Sequence, residues 1–92
     1  MVIVAIQHPV ADYDAWKAKY DEMNPGTMGA VFARVNRMVG EPNTITVVAG
    51  FETLEAAEAM MANPGLKDVM KEAGVTAEPR VEMYEELEAV QY

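Results

Sequence analysis

The sequence of 92 residues contains no cysteine and no serine, and it has a single histidine. Without cysteine the chain cannot form a disulfide, a thiolate zinc site or a CxxC redox centre. Without serine or cysteine it has no side chain for the common acyl-transfer triads. Any catalysis by this chain is therefore expected to rely on proton transfer.

Basic residues are also scarce. Seven lysines and arginines stand against 15 aspartates and glutamates, which gives a formal charge of −8. Such a surface repels nucleic-acid backbones and anionic membranes, so neither is expected as a partner. No apolar run approaches the length of a membrane span, and the opening run lacks the basic flank of a signal peptide. The prediction is a cytoplasmic protein.

The apolar half of the sequence is unusual in kind. Alanine (14), valine (12) and methionine (8) dominate, while leucine and isoleucine occur three times each. The length predicts a single domain over residues 1–92. Methionine-rich apolar surface suits an adaptable pocket or interface, because the unbranched thioether fits irregular spaces.

Hydrophobic periodicity predicts the order β-α-β-β-α-β. The predicted elements are strands at Val2–His8, Ala30–Met38, Thr44–Phe51 and Arg80–Leu87, and helices at Tyr13–Met23, after Thr53, and again after Asn63-Pro64. A turn is expected at Gly40–Asn43, and Gly74 is expected just beyond the last helix. With right-handed crossovers, this order predicts a ferredoxin-like α+β fold. Its four-stranded antiparallel sheet has the order 4-1-3-2 and carries the helices on one face.

The first strand is apolar on both faces, with Val2, Val4 and Ile6 on one and Ile3 and Ala5 on the other. Helices can cover only one face of this sheet. The other face is expected to be covered by a second copy of the chain under two-fold symmetry. The sequence therefore predicts a homodimer in which two sheets face each other and form a barrel.

Several segments resemble small dimeric α/β-barrel proteins of the antibiotic-biosynthesis-monooxygenase-like superfamily. The clearest is His8–Lys17, HPVADYDAWK, which is similar to that group's "H-x-V-x-D-Y-x-x-W" opening. The other matching segments are Arg34–Arg37, Glu41–Thr44, Phe51–Ala57 and Asn63–Val75. The resemblance covers nearly the whole chain and implies the dimeric barrel fold.

The resemblance also implies a choice of activities. The first is a cofactor-independent monooxygenase or cyclase that acts on a small aromatic or polyketide-like substrate by proton abstraction. The second is a non-catalytic, small-ligand-binding or stress-associated dimer. The third is a haem-binding protein, since relatives include haem-degrading enzymes. His8 would be the axial ligand, and it lies on a different element from the one usual for haem degradation.

His8 is the candidate base, because histidine alone has an ordinary pKa near neutrality. It is expected at the end of the first strand, beside the aromatic face of the first helix. Tyr84 is the candidate acid that would complete a Tyr/His pair. The alternatives are a histidine bonded to backbone or solvated, and a last strand whose glutamates protect an edge from aggregation.

Six further residues are candidate substrate contacts. Tyr13, Trp16 and Tyr20 recur at helical spacing and suit the wall of a pocket for a flat ligand, or the plain core face of a helix. The other three share one face of the second strand: Phe32, Arg34 and Asn36. Arg34 and Asn36 could orient a carbonyl or carboxylate, with internal ion pairing as the alternative for Arg34. No metal site is expected, because one histidine and scattered carboxylates lack convergent spacing.

Overall fold

The computed structural model describes residues 1–92. Its elements are β1 (Val2–Pro9), α1 (Tyr13–Met23), β2 (Phe32–Met38), β3 (Glu41–Phe51), α2 (Leu54–Ala62), α3 (Pro64–Glu72) and β4 (Arg80–Glu85), with a 3-10 turn over Pro25–Met28. The strands form one antiparallel sheet in the order β2-β3-β1-β4, which is the predicted order read from the opposite edge. The ferredoxin-like α+β fold is therefore confirmed. No helix is long and apolar enough to cross a membrane.

Local side-chain chemistry fixes where the helices start. Asp12 caps α1 by accepting a hydrogen bond from the Ala15 backbone N–H at 2.9 Å. Thr53 caps α2 in the same way. Asn63 then caps α3, and Pro64 occupies the first position, where a missing N–H costs nothing. The predicted interruption between the two helices is confirmed.

The β2–β3 hairpin differs from the prediction of a turn over Gly40–Asn43. Met38 pairs with Glu41, so the turn contains only Val39 and Gly40, and Gly40 adopts φ +85°. Glycine tolerates this left-handed conformation without a steric penalty. The register shifts beside Arg37 and Met38, and Pro42 lies within that irregularity, where a missing N–H breaks no ladder bond.

Three strand boundaries also differ from the predictions. β1 ends at Pro9 rather than His8, and Pro9 pairs with Thr44. β2 starts at Phe32 rather than Ala30, although the Val31 N–H already donates to the Gly50 carbonyl. β4 ends at Glu85 rather than Leu87. The Glu86 N–H donates to the Met1 carbonyl, and beyond that point β1 offers no further backbone to pair with.

Strand alternation divides the sheet into a face under the helices and an open face. In β1 the even-numbered residues lie under the helices, where Val4, Ile6 and His8 are all buried. The rest of the buried apolar core comes from the helices, β3 and the loop after β1: Val10, Trp16, Ile45, Val47, Ala49, Phe51, Ala57, Met60, Leu66 and Ala73.

The open face carries three cross-strand rows from β2 to β4. They are Phe32–Gly50–Ile3–Tyr84, Arg34–Val48–Ala5–Glu82 and Asn36–Thr46–Gln7–Arg80. Its centre is apolar, and the ring of Phe32 lies so close over Gly50 that a side chain there would collide with it. No helix covers this face.

Candidate functional site

An apolar cavity lies between the sheet, α1 and α3. Its volume is about 40 Å³. The lining residues are Ile6, Trp16, Tyr20, Met23, Pro25, Val47, Ala49, Met60, Leu66, Val69 and Met70. None of them carries a charge, and a cavity of this character excludes ordered water and accepts apolar molecules. It is well below the roughly 300–1,000 Å³ of sites for drug-sized ligands, so a larger ligand requires its walls to move.

Trp16 links this cavity to a group of rings that we call the aromatic cluster: His8, Tyr13, Trp16 and Tyr20. The Trp16 ring stacks on Tyr20, with centroids 5.0 Å apart and planes at 25°. It also meets Tyr13 at 6.0 Å and His8 at 5.6 Å. Trp16 is only 3% exposed. Of the three aromatic residues on this helix face, Trp16 and Tyr20 line the cavity, and Tyr13 packs beside them without lining it.

His8 is buried in the part of the core that contains the aromatic cluster, and like Trp16 it is only 3% exposed. Its Nδ1 atom is fully buried and has no hydrogen-bond partner. An unpaired buried nitrogen is unfavourable in a folded protein. A neutral imidazole has one nitrogen that can accept a proton. His8 does not line the cavity itself; Trp16 contacts both.

Burial lowers the pKa of His8 below the ordinary value of 6.5, and the backbone of Pro9 and of His8 itself opposes this shift. The imidazole is therefore neutral near pH 7. A neutral imidazole is the form that can act as a base.

The same burial predicts acid sensitivity of folding. The unfolded chain binds a proton at His8 near pH 6.5, while the folded chain resists it. His8 therefore does not reduce the free energy of unfolding above pH 6.5. As the pH falls below that value, protonation of the unfolded chain lowers the free energy of unfolding. Urea unfolding of the wild type and of His8→Phe between about pH 7.5 and pH 5.5 checks this. We expect the wild type to lose stability more steeply, and parallel curves would contradict the prediction.

Two cations flank the aromatic cluster, which the sequence did not indicate. The Arg37 guanidinium lies 4.6 Å from the Tyr13 ring centre, and the Lys17 ammonium lies 5.7 Å from that of Tyr20. Burial raises the pKa of Tyr20, an effect that Lys17 opposes and Asp21 reinforces. Tyr20 therefore keeps its hydroxyl proton. Tyr20 and Trp16 are the two cavity-lining residues whose side chains can donate a hydrogen bond.

The remaining candidates lie on the open face, away from His8. Tyr84 pairs with Ile3, whereas His8 shares the face of Val4 and Ile6. Opposite faces of one sheet separate the two side chains, so His8 and Tyr84 do not form the suggested acid–base pair within one chain. Tyr84 instead donates a hydrogen bond to Glu82 at 2.8 Å, and that bond raises the pKa of Tyr84.

The β2 candidates also point away from the cavity. Arg34 lies over the Phe32 ring at 4.7 Å, and Asn36 donates to the Thr46 carbonyl at 3.4 Å. The internal ion pair considered for Arg34 does not form. Glu82 lies in the same cross-strand row as Arg34, but three strands away from it. Glu82 instead pairs with Arg80 at 2.8 Å.

The structure therefore brings together His8, Tyr13, Trp16 and Tyr20, and it places Phe32, Arg34, Asn36 and Tyr84 elsewhere. The cavity is also lined by methionines that were not among the candidate site residues: Met23, Met60 and Met70. The abundance of methionine was the available signal, but periodicity alone does not say which methionines surround a void.

Haem does not fit this arrangement. His8 is enclosed by packed side chains and does not line the cavity, whose volume of about 40 Å³ is far too small for a porphyrin. No group of three or more histidine, aspartate and glutamate side chains lies close enough to hold a metal ion.

Solved structures with the same fold provide the comparison. A provisionally assigned antibiotic biosynthesis monooxygenase from Deinococcus radiodurans matches with a TM-score of 0.74 and 19% identity, over 100% of this chain and 98% of that chain. SnoaB, a cofactor-independent oxygenase from Streptomyces nogalater, matches with a TM-score of 0.75 and 13% identity, over 99% and 97%. Neither a protein-family model nor a curated protein sequence matches the chain. The chain fold implied by the sequence resemblance is confirmed: this chain has the fold of the antibiotic-biosynthesis-monooxygenase-like proteins. The dimer stays a prediction.

Proposed function

We propose that this chain is a cytoplasmic, homodimeric, cofactor-independent enzyme. It takes up a small aromatic or polyketide-like molecule at the helix-side cavity and starts oxygenation or cyclisation by removing a proton. The observation that carries this proposal is the buried, neutral His8 with its unpartnered Nδ1, next to the tryptophan that lines an apolar cavity.

In this proposal, the cavity lining, Trp16 and His8 each have a separate role. The uncharged lining binds an apolar ring system, and Trp16 and Tyr20 present aromatic faces to it. A small displacement of Trp16 joins the His8 imidazole to the cavity, since the two ring centres lie 5.6 Å apart. His8 then accepts a proton from an acidic C–H or O–H of the ligand. The apolar surroundings exclude water from the resulting carbanion or phenolate.

Anthrone is a suitable probe, because its methylene is acidified by two rings and a carbonyl group. His8 takes one methylene proton, the carbanion forms a carbon–oxygen bond with dioxygen, and the resulting peroxide takes that proton back from His8. Loss of the remaining hydrogen on the same carbon, with cleavage of the oxygen–oxygen bond, releases water and leaves the quinone. The balance is one anthrone and one dioxygen to one anthraquinone and one water. An oxygen electrode and absorbance measurements test this stoichiometry, compared with buffer alone. Oxidation no faster than in buffer would contradict the oxygenase proposal.

The dimer is supported by the open face. Ala5 lies at its apolar centre between Val48 and Glu82. An aspartate at this position places a charge beside Glu82 and, in a dimer, away from water, where an unpaired charge is strongly unfavourable. We expect Ala5→Asp to weaken dimerisation by at least about 100-fold.

Sedimentation equilibrium across micromolar concentrations measures this effect. The matched control is Ala59→Asp, which adds the same charge at an exposed position of α2. We expect the control to remain as dimeric as the wild type. A wild-type chain that is monomeric at micromolar concentration would refute the proposed dimer.

A non-catalytic ligand-binding dimer is the second candidate, and one observation favours it. His8 does not line the cavity, so an apolar ligand can occupy that space without meeting the base. This candidate predicts saturable binding of anthrone analogues with no oxygen consumption above that of buffer.

A further inference from the structure

A groove on the surface shares three side chains with the cavity. The groove has a volume of about 220 Å³ and lies where the end of α1 meets the start of α3. Its lining residues are Met23, Met28, Asn63, Gly65, Leu66 and Val69. Met23, Leu66 and Val69 also line the cavity, so these three side chains form the wall between the two spaces.

The wall is made of side chains that can move. Met23 is the last residue of α1, is half-buried, and has three rotatable side-chain bonds. Val69 is half-buried too, whereas Leu66 is firmly buried at 4% exposure. Met23 is therefore the residue of this wall with the greatest freedom to move.

A second hollow also touches the cavity, near β4. It has a volume of about 110 Å³ and shares only Leu66 and Met70 with the cavity. Its other lining residues include the charged Lys67 and Glu78 as well as Met61. Two further hollows, of about 430 Å³ and about 470 Å³, also share residues with the cavity: Tyr20 and Pro25 in one, and Met70 in the other. Both have charged lining residues, Asp21 in the former and four in the latter. The first groove shares more of the cavity wall than any of these three hollows, and its lining carries no charge. It is the most favourable approach for an apolar ligand, which would not have to displace water from charged groups.

We infer that ligands reach the cavity between α1 and α3, and that Met23 is the gate that controls how fast they arrive. This inference rests on the proposed function, because it assigns the access route of the same site. A gate lowers the association rate constant in proportion to the time it stays closed, and shortening the gate residue removes that penalty.

Quenching of Trp16 fluorescence measures ligand arrival directly. Trp16 is the single tryptophan and lines the cavity. The probe is 1-iodonaphthalene, an uncharged aromatic molecule whose iodine quenches nearby tryptophan, mixed with the full chain in a stopped-flow instrument. We expect Met23→Ala to raise the association rate constant at least about tenfold over the wild type.

The matched control is Met61→Ala. Met61 is also half-buried, but it lines only the second hollow. We expect its association rate constant to stay within about twofold of the wild type. Should Met23→Ala fail to fold, Val69→Ala tests the same wall, since Val69 lines the groove and the cavity but not the second hollow.

The outcomes separate the gate from the site. Faster association in Met23→Ala but not in Met61→Ala supports the gate. Saturable quenching with an unchanged rate in Met23→Ala, or acceleration in Met61→Ala alone, overturns it and leaves the ligand site standing. A wild type without saturable quenching overturns the ligand site and the gate with it.

Discussion

The turnover of anthrone by a His8→Gln variant is expected to fall by about 100-fold to 10,000-fold, the usual contribution of a positioned general base. Glutamine keeps a polar side chain of similar length in the buried position but cannot accept the proton. Because His8 is the only histidine, no neighbouring imidazole can replace it. The measurement is oxygen consumption at saturating anthrone.

The pH profile distinguishes a base from a structural residue. Burial lowers the pKa of His8 below 6.5, so wild-type kcat/KM should rise with pH through that lowered pKa and then level off. His8→Gln should lose this rise altogether. Near-UV circular dichroism of Trp16 and the sedimentation behaviour serve as folding controls. Unchanged turnover in a folded variant would show that His8 is not the base.

Replacing Trp16 with alanine is expected to lower the free energy of unfolding by about 3–5 kcal/mol. Trp16 is 3% exposed, contacts His8, Tyr13 and Tyr20, and forms part of the cavity wall. Its removal therefore enlarges an existing void, which the surrounding side chains cannot refill. That loss is large against a total stability of roughly 5–15 kcal/mol for a domain.

Urea unfolding followed by far-UV circular dichroism measures this loss, since the variant has no tryptophan to report. All variants are compared at one protein concentration, because the proposed dimer would make stability depend on concentration. Trp16→Phe retains an aromatic ring and should lose less than half as much. Leu87→Ala, at a residue that is 90% exposed, should change stability by no more than about 0.5 kcal/mol. An equal loss in Trp16→Ala and Leu87→Ala would contradict the assigned packing.

Most of the fold was predictable because its signals are local. Asp12, Thr53 and Asn63 cap their own helices through hydrogen bonds to backbone N–H groups two or three residues ahead. Alternation along β1 and β3 marks which residues share a face. The boundaries were less accurate where pairing with another strand decides them, as at Gly40 and after Glu85.

The candidate site was only half predictable. The helical spacing of Tyr13, Trp16 and Tyr20 placed them on one face, and the structure adds His8 to that face. The separation of His8 from Tyr84 was not predictable in the same way. It required the register between β1 and β4 as well as the side of the sheet that the helices cover.

The sequence by itself determined the order of strands and helices, the two-sided apolar character of β1, and the absence of cysteine and serine nucleophiles. These properties follow from composition and from interactions between residues near one another in the chain. Only the tertiary structure decided that His8 is buried beside Trp16 and that Tyr84 lies on the opposite face. It also decided that methionines from three helices line a cavity. These outcomes depend on how distant segments pack together, which no local pattern specifies.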